Sequence, residues 1–115
     1  MSLFALVGDQ FYLQGLKYND IKYFKLAKKI FPFEKAILQG DAEYYVKFGV
    51  IDLKAYEAIK EAYYYDPYIP RLLSYQMQYA FLMDDDNLGV QSFHKLKVMA
   101  PNMPLVKELI KRGAK

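Results

Sequence analysis

Three proline-centred triplets, Phe31-Pro32-Phe33, Asp66-Pro67-Tyr68 and Ala100-Pro101-Asn102, recur along the chain at intervals of 35 and 34 residues. Proline lacks a backbone N–H and disfavours the α conformation in the residue before it, so each triplet is a helix stop. Upstream of each stop an apolar face recurs at helical spacing: Ile21, Phe24, Ala27 and Phe31; Ala55, Ile59 and Ala62; Val90, Phe93, Leu96 and Ala100. The spacing predicts that each of three repeats closes with an amphipathic helix. Short polar residues stand before these helices at Tyr18-Asn19-Asp20, at Gly49 to Asp52 and at Asp84-Asp85-Asp86-Asn87, where they can turn the chain and cap a new N-terminus. Each repeat therefore reads as helix, turn, helix, over about 1–34, 36–69 and 70–103. A further helix over about 104–112 is expected to cap the array, with Lys107, Glu108, Lys111 and Arg112 on its solvated side.

With 115 residues the chain suits one domain with a continuous core. A composition 54% hydrophobic, with 12 Tyr and 8 Phe, is too apolar for a disordered chain. Without cysteine, disulfide frameworks and cysteine zinc sites are excluded, and the compartment is left open. The net charge of +3 comes from dispersed residues and forms no basic stripe of the kind that tracks a phosphate backbone, so no nucleic acid is expected. Apolar runs such as Ala80 to Met83 fall far short of the roughly 20 residues that cross hydrocarbon. The opening Met-Ser-Leu-Phe-Ala-Leu-Val has no basic flank and meets Asp9 early, so it is not read as a signal peptide.

The pattern resembles the tetratricopeptide repeat (TPR) family over nearly the whole chain. In the first unit Phe4, Gly8, Phe11, Phe24, Ala27 and Pro32 stand at the family's aromatic, glycine, small and proline positions. The second keeps Ala55, Ala62 and Pro67, with Ile59 for an aromatic and Glu43 in place of the first-helix glycine. The third keeps Gly89, Phe93 and Pro101, while Met77 and Ala80 depart from the glycine and aromatic. Small residues in phase with the prolines would let paired helices approach closely while large neighbours fill the flanks. The resemblance implies an all-α, right-handed superhelix of about three antiparallel hairpins plus a C-terminal capping helix.

It also implies a concave groove lined by the first helix of each hairpin. The groove-facing positions fall on Asp9 and Tyr12, on Tyr44 and Lys47, and on Arg71, Ser74 and Gln78. Such aromatic, basic and amide side chains could hold an extended peptide or a sugar by stacking and hydrogen bonds. The carboxylate clamp of some relatives needs lysine and asparagine where this chain has Ala5, Asp9, Gly40 and Tyr44, which disfavours a chaperone-tail receptor.

Other features have plainer readings. Tyr63-Tyr64-Tyr65 and Tyr68 suggest an aromatic platform, but consecutive helical residues point in different directions, so some are expected to pack and others to line the surface. Asp84-Asp85-Asp86-Asn87 lacks the alternating oxygens, turn glycine and distant glutamate of a calcium loop and reads as helix capping. His94 stands beside Phe93 without cysteine or a second histidine and reads as structural. No catalytic triad, phosphate-cradling loop or paired-carboxylate motif is visible, so neither catalytic residues nor cofactor nor metal are expected.

The leading expectation is a non-catalytic scaffold for a protein or peptide partner. A second resemblance, carried by Phe31-Pro32-Phe33, Ala42-Glu43-Tyr44-Tyr45, Asp66-Pro67-Tyr68 and residues Ala100 to Lys107, is to the soluble repeat segment of bacterial O-antigen polymerases and ligases. It implies an extracytoplasmic piece of a membrane enzyme, with the glycosyl-transfer chemistry elsewhere. A third expectation is self-assembly through an exposed repeat edge.

Overall fold

The computed structural model describes residues 21–30 and 34–114. Among these the chain is all-helical, with α1 (Ile21–Ile30), α2 (Lys35–Lys47), α3 (Leu53–Tyr65), α4 (Pro70–Leu82), α5 (Asp86–Met99) and α6 (Pro104–Lys111). The helices α1, α3 and α5 each end two residues before one of the three spaced prolines. Proline also opens helices here: Pro70 and Pro104 occupy the first turns of α4 and α6, where the missing N–H would have had no intrahelical partner. The expected first helix and the turn at Tyr18-Asn19-Asp20 lie outside the described residues. The capping helix forms over Pro104–Lys111, close to the expected span.

The turn from Gly49 to Asp52 behaves as its residues predict. Gly49 takes φ +65°, which a side-chain-free residue adopts without strain, and Asp52 accepts the Ala55 N–H at 2.8 Å to cap α3. The acidic turn before α5 departs from expectation. Asp84 adopts φ 61°, a left-handed conformation that Asp tolerates, and Asp85 stands at the N-cap without a side-chain capping bond. Its Oδ2 instead accepts the Tyr56 hydroxyl at 2.7 Å, so this carboxylate ties α3 to the start of α5.

Consecutive helices pack on one another along the chain, and α6 makes the lightest of these contacts, against α5. Two adjoining apolar clusters form the core. One joins Leu38, Ala42 and Tyr45 of α2, Ala55, Ile59 and Ala62 of α3, and Leu72, Tyr79 and Ala80 of α4. The other joins Leu73 and Met77 of α4, Phe93 and Leu96 of α5, and Val106 of α6. The expected small faces are buried: Ala27, Ala55 and Ile59 are fully enclosed, and Ala62 nearly so. Val90 is the exception on the α5 face, 47% exposed. The helix is turned so that Gly89 meets α4, where a Cβ would lie 2.7 Å from the Phe81 ring. Phe31 and the side chains of Ile21 and Phe24 lie outside the described residues.

Candidate binding surfaces

The sequence-predicted groove residues fall on α2 and α4. On α2, Glu43 and Lys47 are four residues apart and share a face, as do Tyr44 and Phe48. The Tyr44 ring packs against Phe48 with centroids 4.6 Å apart, and the Lys47 ammonium lies 5.7 Å from the Phe48 centroid. Lys47 and Phe48 are exposed, so this corner presents a cation over an aromatic surface. On α4, the exposed Arg71 guanidinium pairs with Glu43, which brings the two helix faces together. Tyr75 lies beside the pair. Burial and the Glu43 carboxylate push its hydroxyl above the ordinary phenol range, and Arg71 partly offsets them.

Farther along α4, the Gln78 amide donates to the Ser74 carbonyl at 3.1 Å and the side chain remains exposed. Ser74 differs from its expected groove-facing role. It is 6% exposed, and its hydroxyl donates to the Arg71 carbonyl at 2.7 Å, so it supports the helix and offers no free donor. Arg71 is thus joined to α2 through Glu43, with Tyr44 and Lys47 near the end of α2 and Gln78 two turns beyond Arg71 on α4, whereas Asp9 and Tyr12 lie outside the described residues.

Two concavities were not anticipated. A cleft of about 420 Å³ opens between α1, α2 and the first turns of α3, lined by Lys25, Lys28, Asp41, Tyr45, Lys54 and Glu61 among others. Lys28 Nζ sits 3.0 Å from Glu61 Oε1 and 3.8 Å from Asp41 Oδ2, so one ammonium links three helices. Asp41 is only 4% exposed, and its Oδ1 has no hydrogen-bond partner. Desolvation outweighs the attraction of Lys28 and Lys25 and pushes its carboxyl above the usual carboxylate range. Helical spacing carried the signal for its burial: Asp41 lies three residues after Leu38 and four before Tyr45, on the face those residues bury.

The second concavity, about 470 Å³, is apolar and lies between α4, α5 and α6, lined by Met77, Phe81, Val90, Phe93 and Leu109 with His94 at its edge. Of the tyrosines singled out in the sequence, Tyr63 and Tyr65 pack against the core, while Tyr64 and Tyr68 are 75% and 82% exposed. They do not form one platform. His94 is exposed, its ring 5.9 Å from that of Phe93. Among the described residues no group of three or more His, Asp and Glu side chains is placed to hold a metal ion, and no helix is long and apolar enough to cross a membrane.

No known family model matches this chain, and no curated protein matches it.

Proposed function

We propose that the chain is a TPR-like scaffold whose hairpins stack into a right-handed superhelix and whose first-helix face, carried by α2 and α4, binds an extended peptide of a protein partner. The observation that carries this reading is the Glu43–Arg71 pair joining the two faces, with Lys47 exposed at the end of α2, Phe48 exposed just after it and Gln78 exposed on α4. The stop-and-start prolines and the enclosed Ala27, Ala55 and Ala62 support the hairpin register. The surface suits recognition: a solvent-exposed ion pair contributes little to stability, so its charges can be exchanged for those of a ligand at small cost to the fold. Aromatic carbon beside charge offers area and orientation together.

Peptide-display selection against the folded domain, followed by titration of the selected peptides, tests this. Tyr44→Ala combined with Arg71→Ala should weaken the selected peptides at least about tenfold, a loss of roughly 1.4 kcal/mol, while circular dichroism stays unchanged. Equal affinity for the double variant would remove the α2–α4 face from the mechanism.

A further inference from the structure

The apolar concavity between α4, α5 and α6 does not end at α5. A further one of about 360 Å³, between α4 and α6, shares Met77, Phe81 and Leu109 with it, so the two adjoin as one elongated trough. No Asp, Glu, Lys or Arg lines either part; His94 lines only the first and Gln78 only the second. The walls are packed on one another through Met77, Phe93 and Val106, so the space between them has the width of a side chain. A partner helix, about 10 Å across with its side chains, would have to displace α6 to enter. Gly89 helps to shape this space: without a Cβ it lets the Phe81 ring lie back against α5 as part of the wall. The light seating of α6 lets the walls part at small cost in packing.

We propose that the trough binds a single unbranched hydrocarbon chain, the acyl chain of a medium-length fatty acid, lying between α4 and α6 with its carboxylate in solvent at the His94 end. Walls without charge favour carbon over a charged ligand body, and apolar cavities of this kind take up apolar ligands. An elongated space favours a linear chain over a compact ring, and Met77 at its middle can adapt to the chain. A volume of about 470 Å³ in the first part alone falls within the size of small-molecule sites. The head group is placed at His94 because His94 and the following Lys95 are exposed, whereas the Gln78 amide already donates to the Ser74 carbonyl. The nearest carboxylates along the chain, Asp86 and Glu108, line neither part. Apart from Gln78, the site shares no residue with the proposed peptide surface.

The test is backbone-amide NMR titration of the full chain with hexanoate, octanoate and decanoate, each kept below its micelle-forming concentration. Saturable shifts should centre on residues 77, 81, 90, 93 and 109, and affinity should rise about tenfold for each two added methylenes, as expected for burial of carbon. Val90→Asp, at a half-exposed position that tolerates a polar side chain, puts a charge on the wall and should weaken decanoate at least about tenfold. Gly89→Ala should also weaken it, by moving the Phe81 ring off α5 into the trough. Shifts centred elsewhere, affinity independent of chain length, or undiminished binding by either variant would overturn the proposal. So would concentration-dependent shifts of these residues without fatty acid, which would give the trough to a second copy of the chain.

Discussion

The two core clusters solve the same packing problem with opposite materials. Around α3 the core is built from Ala55, Ala58 and Ala62 with Ile59, Leu38 and Leu72 close it from the neighbouring helices, and two of its three tyrosines are anchored through their hydroxyls. Tyr56 donates to Asp85 at 2.7 Å and Tyr79 to the Val50 carbonyl at 2.7 Å. Between α4, α5 and α6 the core uses Leu73, Met77, Phe93, Leu96 and Val106, with one buried polar bond, from the Gln76 amide to the Ser92 hydroxyl at 3.0 Å. Helices that meet through alanine leave no space for added volume, whereas helices that meet through leucine and phenylalanine depend on the volume already there. The first cluster is vulnerable to enlargement and the second to deletion.

The largest effect is expected where a charge enters the alanine seam. Ala62→Arg puts a guanidinium at a position 1% exposed and should destabilise by more than about 4 kcal/mol, read by chemical denaturation. Native-like stability in this variant would show that the seam yields and that the contrast between the clusters is wrong. Next comes deletion in the second cluster: Leu96→Ala, at a fully enclosed site, should cost about 2–5 kcal/mol. If Leu96→Ala were tolerated while Ala62→Arg was not, the light seating of α6 would be absorbing the cavity, and faster amide exchange in α6 would report it.

A smaller change sharpens the polar anchoring of the first cluster. Tyr56→Phe keeps the ring and removes the bond to Asp85, and a loss of about 1–2 kcal/mol is expected in denaturant titration. The smallest effect is the pH dependence of Asp41. Its folded-state carboxyl is raised, so between the ordinary carboxylate pKa and that raised value the folded chain holds a proton that the unfolded chain has released. Stability therefore falls as pH rises through that window. Asp41→Asn should flatten this slope in melts recorded from pH 4 to 7, and an unchanged slope would assign it to another group.

How much of this was readable beforehand depends on the range of the interaction. Pro67 and Pro101 placed the ends of α3 and α5, and Asp52 placed the start of α3, because these effects act within one turn of backbone. The spacing of Ala55, Ile59 and Ala62 marked a buried face for the same local reason. Ser74 was expected on a surface and is buried, Val90 was expected inside and is exposed, and Asp85 was expected to cap α5 and bonds Tyr56. Each of those outcomes depends on how far one helix is rotated against another, which residue spacing alone leaves free.

Chain chemistry thus set the helical class, the stops and the small-residue seams, since proline, glycine and helical periodicity act on neighbouring backbone. Tertiary packing alone set the pairing of Arg71 with Glu43, the position of Gly89 beneath Phe81 and the lack of a donor for one oxygen of the buried Asp41. Those depend on helices meeting at particular rotations, and a rotation is fixed by the sum of many side-chain contacts across the interface.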